Sequence, residues 1–524
     1  MKIKVSSLTE GVNFVEDFIV YREGSQILRV IRNECRHMGG KFGGCAEKDS
    51  VVCRRHNWKL NAKTLEYSSP VGVKHPSIRW RVENDYIRIE EEEYDQSCRS
   101  TIKALTPNEF KIKFYSHACI EVLWNGSSFF TDPWLIGPAF TKGWWLVHSP
   151  PSNWLERLAA SDGIYFSHNH SDHMNVHTLR MLVGENPNVP IYIPNFESTS
   201  CYTILSALGF KNINSVDFES KQTIKGLSFT IFEDTTGRDD SGILFDYKGH
   251  KILNTVDCKN IKSKNIENVK VLLKEFSSGA SGFPVCWLDQ YSLSKVKGIV
   301  KGNREHIKKN LLESISHFKP QVFVPFAGYF SENYPTDSDI KDLNQKNDPH
   351  KIADLVEEKV SGVQSWVPEP GKELDLYDFS TKHYEGDYYL DESLEHYASM
   401  YKQGPHVSAF DTMYAYEDYF RGIGFKGDLI LHVVETDEEY QEILNEFFVD
   451  FSATPKVSKN HPIREGSYLN MKVRQSTFRY VLFHGLPWEE FSIGFQARFS
   501  RTPDSYNFAF WDHMQNYTSQ GGVS

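Results

Sequence analysis

The chain has 524 residues, long enough for about three or four domains, and its 40% hydrophobic and 14% aromatic content supports several packed cores, which excludes an intrinsically disordered protein. A net charge of −11, from 58 Lys plus Arg against 69 Asp plus Glu, excludes a nucleic-acid binder whose affinity rests on neutralising phosphates. No apolar run approaches the ~20 residues needed to span a bilayer and the opening MKIKVSSLTEGVNF has no signal-peptide h-region, so the expectation is a cytoplasmic protein without a membrane span.

In chain order, residues 1–95 read as a small all-β domain. Short apolar runs (Phe18–Tyr21, Ile27–Ile31, Tyr86–Ile89) alternate with Gly-rich turns. Within it stand Cys35-Arg36-His37 and, after fifteen residues, Cys53-Arg54-Arg55-His56. This is the C-x-H…C-x-x-H ligand set of a Rieske 2Fe-2S cluster, with two Cys thiolates on one iron and two His imidazoles on the other. Gly39, Gly40, Gly43 and Gly44 suit loops folded tightly over such a cluster. Zinc modules pair Cys with Cys and His with His, whereas each half here carries one of each, so the cluster is the better reading. The positions that hold a disulfide in respiratory Rieske proteins are Gly40 and Arg55, which points to the oxygenase or ferredoxin kind. The six cysteines outside the motif (45, 98, 119, 201, 258 and 286) show no secreted-domain spacing and are expected reduced and buried.

A charged stretch beginning at Glu90 reads as a solvated hinge, with a linker over 96–110. From 111 to 370 strand-like and helix-like segments alternate. Lys111–Trp124 and Ser127–Leu135 are joined by an Asn125-Gly126 hairpin turn; a helix opens near Pro150; strands follow at 163–166, 190–194, 227–232, 242–247 and 251–256. With no G-x-G-x-x-G turn this is a mixed α/β domain of another kind than the dinucleotide-binding one.

The strand ending at Phe166 delivers Ser167-His168-Asn169-His170-Ser171-Asp172-His173. Four potential metal ligands in six residues at a strand's end predict a metal site at a sheet rim. The motif resembles the metallo-β-lactamase superfamily, whose fold is an αββα sandwich, and Asp257, after the strand Lys251–Val256, stands where that superfamily carries a bridging carboxylate. The third and fifth histidines of a two-zinc hydrolase are missing, since His177 and His250 are badly placed and Ala327-Gly328 follow the strand 321–326. His168, His170 and one carboxylate, Asp257 or Asp172, with His173 beside them, would instead make the two-His-one-carboxylate face that suits mononuclear non-haem Fe(II) and dioxygen. His117, opening the domain, is a candidate for the pocket lining or for a packed core His. A Rieske carrier in one chain with an open iron site is what reductive dioxygen activation requires.

Long runs carry a further resemblance. They include Asp132-Pro133-Trp134-Leu135-Ile136-Gly137-Pro138-Ala139-Phe140 with Gly143-Trp144-Trp145, then Ile252–Cys258, Gly279–Pro284, Pro325–Phe330, Glu435–Glu438 and Gly494–Gln496. Over nearly its full length the chain resembles the CMP-N-acetylneuraminate hydroxylase family. The resemblance implies a monooxygenase that turns the N-acetyl group of CMP-sialic acid into N-glycolyl, with electrons from NADH through a reductase and cytochrome b5 or a ferredoxin. It also implies a His in the loop Asp234–Asp240, where Thr236 stands nearest. Residues 371–524 read as an α+β lobe with helical stretches at 397–401 and 414–420, a strand at 427–434 and a helix at 437–448, either covering the pocket or scaffolding it. Trp144-Trp145 would stack a cytosine or fill the core. The rival readings are a zinc hydrolase whose Rieske domain senses redox state, and a non-catalytic electron carrier.

Overall fold

The computed structural model describes residues 2–33, 42–53, 59–89, 109–382 and 412–515, apart from positions 17, 48, 69, 70, 76, 79, 237, 238, 262–265, 333 and 335. The N-terminal region is all-β. Gly11–Val15, Phe18–Glu23 and Gln26–Arg32 form one sheet, and five further strands from Phe42–Glu47 to Val71–Lys74 form another. Its apolar residues Ile19, Tyr21, Val51 and Leu60 share a cluster with Tyr115, Leu135 and Phe166, so this domain is packed onto the next one.

Two sheets face each other in the central region. The first has eight strands in the order Ile213–Val216, Ile191–Pro194, Gly163–Tyr165, Ser127–Thr131, Cys119–Trp124, Phe110–Ser116, Glu373–Asp375 and Thr381–Lys382. The second has seven, with His250–Asn254, Val269–Glu275 and Val322–Phe326 parallel neighbours within it. Phe114, Ile120 and Phe129 of the first meet Phe229, Ile243, Phe245 and Leu272 of the second in a dry core. The helices Trp154–Ala159, Val176–Glu185 and Ser200–Leu208 bury Leu158, Leu179, Leu182 and Leu205 against the first sheet's outer face. Leu293–Phe318 and Pro349–Lys359 cover the second. The result is the expected metallo-β-lactamase-like αββα sandwich. The first sheet continues to Lys382, past the 370 boundary read from the sequence, because Glu373–Asp375 pairs antiparallel with Lys111–Lys113.

Two sequence expectations are corrected. Lys111–Trp124 is two strands, because the chain reverses at His117-Ala118 and pairs Ser116 with Cys119. Residues Ile443–Asp450 are a strand, although 437–448 reads as a helix by its Glu and Gln content: Phe447 and Val449 are buried against Ile430–Thr436, and pairing overrides propensity.

The C-terminal lobe is a five-stranded sheet, Lys456–Ser458, Ile443–Asp450, Ile430–Thr436, Tyr468–Arg474 and Ala497–Thr502, carrying the helices Thr412–Gly422 and Gln475–Phe483. The helix expected at 397–401 lies outside the described residues. A buried ion network joins this lobe to the sandwich. The Arg474 guanidinium donates to both Asp337 carboxylate oxygens at 2.9 and 2.8 Å and to Gln496 Oε1 at 3.0 Å, between the rings of Tyr334 and Tyr440. Arg498 adds a bond to the same carboxylate at 3.0 Å.

Candidate metal centre

The loops that follow the first sheet's and second sheet's parallel strands gather on one rim, the place where open α/β sheets present their chemistry. His117, Asp132, Val256 and Ala327, one in each of four rim loops, have φ between +36° and +48°, a costly region for residues with a Cβ and most of all for β-branched Val256. The strained turn at His117 is held by its carbonyl, which accepts from Ala327 N–H at 3.2 Å. The H-x-H-x-D-H loop is fixed at its far end by Asn175, which caps the helix Val176–Glu185 through Thr178 N–H and donates to the carbonyls of Pro138 and Ser171.

Two triplets of donor atoms, each with its atoms within 4.8 Å of one another, result: His117, Asp172 and His173, and His168, His173 and Asp257. His173 belongs to both. Its Nε2 lies 3.4 Å from Asp172 Oδ2 and 3.5 Å from Asp257 Oδ2, and His117 Nε2 is 3.3 Å from Asp172 Oδ2. These approaches lack hydrogen-bond geometry. Both ring nitrogens of His117 and of His173, and Asp172 Oδ1, are buried without a hydrogen-bond partner. So many buried, unsatisfied donor atoms aimed at one another are costly unless a cation sits among them. The residues present therefore fit a metal ion.

Asp132 organises the set from behind. Its carboxylate accepts from Ser167 N–H at 2.7 Å and Ser167 Oγ at 2.8 Å, and lies 3.2 Å from His173 Nδ1, the place of the outer carboxylate that orients a ligating imidazole. Burial, then the neighbouring His173 and His170, holds the His168 ring well below the ordinary imidazole range, so it stays neutral and able to ligate. Burial works against charge on His173, but the Asp172 and Asp257 carboxylates raise it well above that range.

His170 is placed differently from the sequence expectation. It lies outside both triplets: its Nε2 is 2.7 Å from Glu489 Oε2 and its Nδ1 2.7 Å from His168 Nε2. Burial lowers its pKa, yet Glu489 outweighs burial and brings it to about 9. Glu489 starts the short helix Glu489–Ser492 of the C-terminal lobe and is gripped by Gln515 Nε2 at 2.9 Å. That helix sits on the loop Phe140–Trp145, where Thr141 Oγ1 donates to Glu490 O and Trp144 Nε1 to Ile493 O. The contact is so close that a Cβ on Gly143 would lie 1.9 Å from Gly494 O.

Thr236 stands apart from the ligand set. It is exposed and donates to Asp234, whose carboxylate lines the adjoining cavity. Trp144 and Trp145 are buried packing residues, Trp144 stacked on Phe330 at 3.5 Å, although Trp144 also forms part of the cavity wall. Cys119, Cys201, Cys258 and Cys286 are free and buried. Among the Rieske ligands read from the sequence, the backbone of Cys53 ends the strand Ser50–Cys53, while its side chain, with Cys35, His37 and His56, lies outside the described residues. Asp132 and Glu489, which contact the candidate ligands and His170, were not read from the sequence; an Asp directly after the buried strand Ser127–Thr131 was the available signal for the first, and nothing local marked the second.

The centre opens into a cavity of about 590 Å³ walled by both the sandwich and the C-terminal lobe. A family model for the Rieske [2Fe-2S] domain matches residues 3–70, the stretch that carries Cys35, His37, Cys53 and His56. A Rieske domain joined to a metallo-β-lactamase-like sandwich with a His- and carboxylate-lined rim defines the class, a Rieske-type iron monooxygenase. The cytidine monophosphate-N-acetylneuraminic acid hydroxylase of Mus musculus is 35% identical over 546 residues, covering 98% of this chain and 94% of the relative, and that of Asterias rubens is 34% identical over 555 residues, covering 98% and 85%. The chain belongs to the cytidine monophosphate-N-acetylneuraminic acid hydroxylase family. Among solved structures the diiron β-hydroxylase CmlA from Streptomyces venezuelae aligns at 16% identity and a TM-score of 0.35 over 53% of this chain and 55% of its own, a likeness too slight to bear on chemistry.

Proposed function

We propose that this monooxygenase hydroxylates the N-acetyl group of CMP-N-acetylneuraminate, or of a related N-acylated nucleotide sugar, in the cytoplasm. The observation that carries the reading is the convergence of His117, His168, Asp172, His173 and Asp257, of which Asp172 and Asp257 line a cavity of about 590 Å³, in a chain whose residues 3–70 match a Rieske domain. Those five residues would hold the iron. When bound, it supplies reductive activation of dioxygen, with electrons arriving through the cluster held by Cys35, His37, Cys53 and His56. The stoichiometry is one C–H converted to C–OH, the second oxygen released as water, and two electrons and two protons consumed. NADH is the proposed ultimate donor, through a reductase and cytochrome b5 or a ferredoxin.

The chain's own residues perform the rest. Asp132 fixes the His173 ring, and the strained turn at His117 delivers an imidazole that a continuous strand would point elsewhere. Phe140 and Trp144 line the cavity with apolar surface, the Trp144 ring 6.4 Å from that of His117. Glu275 lines the same space, and burial followed by the Asp257 charge raises its carboxyl to about 7, so it can carry a proton there at neutral pH.

Reduced protein incubated with CMP-N-acetylneuraminate and isotopically labelled dioxygen tests the reading. One labelled oxygen in the N-acyl group of the product is expected; turnover that proceeds without dioxygen would contradict it.

A further inference from the structure

The cavity wall falls into two chemically distinct parts. Around the ligands carboxylates outnumber cations, with Asp172, Asp234, Asp240, Asp257, Glu275 and Glu489 beside Lys259 and His170. Each cation there faces carboxylates that compete with a phosphate for it. Elsewhere the same cavity is walled by Trp287, Phe499, Arg501, Tyr506 and Trp511, a group rich in rings and holding the one arginine among the described lining residues. The Arg501 guanidinium lies 4.8 Å over the Trp287 ring; Trp287 stacks on Phe499 with centroids 5.4 Å apart; Trp511 meets Phe499 edge-on at 5.8 Å. Tyr506 is 58% exposed. The Arg501 Nε and Nη2 are engaged, with Asp504 at 3.1 and 3.0 Å and with Tyr291, while Nη1 has no hydrogen-bond partner among the described residues.

Resting on the hydroxylase reading above, we infer that this aromatic wall with Arg501 is the subsite for the pyrimidine nucleoside monophosphate half of the substrate. Chemistry at the ligands requires the N-acyl group at the acidic end. A cavity of about 590 Å³ is far larger than an acetamido group needs, so the remainder of the substrate occupies the rest of it. Flat rings offer stacking to a base, and a guanidinium with a free N–H matches a phosphate oxygen. Phe499 and Arg501 lie on the strand Ala497–Thr502, Tyr506 on the loop after it and Trp511 on the helix Phe508–His513. The C-terminal lobe, with Trp287 contributed by the sandwich, thus forms the nucleotide subsite, while the sandwich holds the metal ligands.

Calorimetric titration of the full-length protein with CMP, for the wild type, Tyr506→Ala, Arg501→Gln and Arg501→Lys, tests the subsite, with iron and acid-labile sulfide content as the folding control. The expected result is CMP binding by the wild type, weakened about tenfold or more in each variant at unchanged iron and sulfide, with Lys failing to restore what Arg provides. CMP affinity within about twofold of wild type in Tyr506→Ala and Arg501→Gln overturns the subsite, as does a wild type that does not bind CMP. The hydroxylation assay separates the two levels. Product from CMP-N-acetylneuraminate with normal CMP binding by the variants removes the subsite alone, whereas no product and no CMP binding removes the reading beneath it as well.

Discussion

His173 is the residue on which the centre turns, since it is the member common to both donor triplets and is oriented by Asp132. His173→Ala is expected to abolish metal binding in the sandwich. Glu489→Gln keeps the shape of the side chain but removes the charge that faces His170 Nε2 at 2.7 Å. Because His170 Nδ1 in turn lies 2.7 Å from Nε2 of His168, and outer partners orient ligating histidines, the loss should reach His168 through His170 and weaken second-site iron binding by about 10-fold, read by iron titration, while the reduced cluster's paramagnetic signal stays unchanged. Of this residue-scale detail, His168, Asp172, His173 and Asp257 were legible in the sequence because four of the motif's ligand types crowd at one strand end and Asp257 ends another. The commitment of His170 was not foreseeable. Its partner lies 319 positions away on another lobe, and no local pattern encodes that distance.

At the scale of elements, the decisive feature is the seating of the helix Glu489–Ser492 on the loop Phe140–Trp145. Gly143→Ala would place a methyl 1.9 Å from Gly494 O, so the helix must lift and carry Glu489 away from His170. The expected outcome is a protein with its Rieske signal intact and weakened second-site iron, with stability lowered by about 1–3 kcal/mol in chemical denaturation. The strand pattern of the sandwich was legible, because apolar runs bounded by turn residues mark buried strands whatever their neighbours. The reversal at His117-Ala118 was not, since neither residue is a turn former and the break is imposed by pairing of Ser116 with Cys119 and by the Ala327 contact. Reading through that turn is what left His117 undecided between pocket and core.

At the scale of the molecule, the three regions depend on one another. Arg474 ties the C-terminal lobe to Asp337 in a fully buried pair, and Arg474→Met leaves that carboxylate to Arg498 alone, which bonds one of its two oxygens at 3.0 Å. The expected cost is about 1.5–3 kcal/mol, the loss of charged hydrogen bonds to a buried carboxylate that keeps one partner, measured as a lowered denaturation midpoint. Acid should act on the sandwich through His148 and His177, both brought down to about 4 chiefly by burial. Each is neutral in the fold and gains a proton more readily when unfolded, so the stability it contributes is complete above about pH 6.5 and is lost as pH falls towards 4, at most about 3 kcal/mol per ring. His148→Phe, which keeps the ring contacts with Phe114 and Tyr329, should flatten that decline in the unfolding midpoint between pH 7 and 4.5. The joining of a Rieske motif to a metal-binding sheet rim was readable from the chain alone; the interlobe cavity was not, because it exists only where sequence-distant walls meet.

The most direct test of a cluster and a separate iron in one chain is the iron and acid-labile sulfide content of anaerobically purified protein, with Mössbauer spectra of the wild type and His173→Ala. About three irons and two sulfides are expected for the wild type, and two of each for the variant with its cluster spectrum unchanged. Two irons and two sulfides in both proteins, or zinc in place of the third iron, would contradict it.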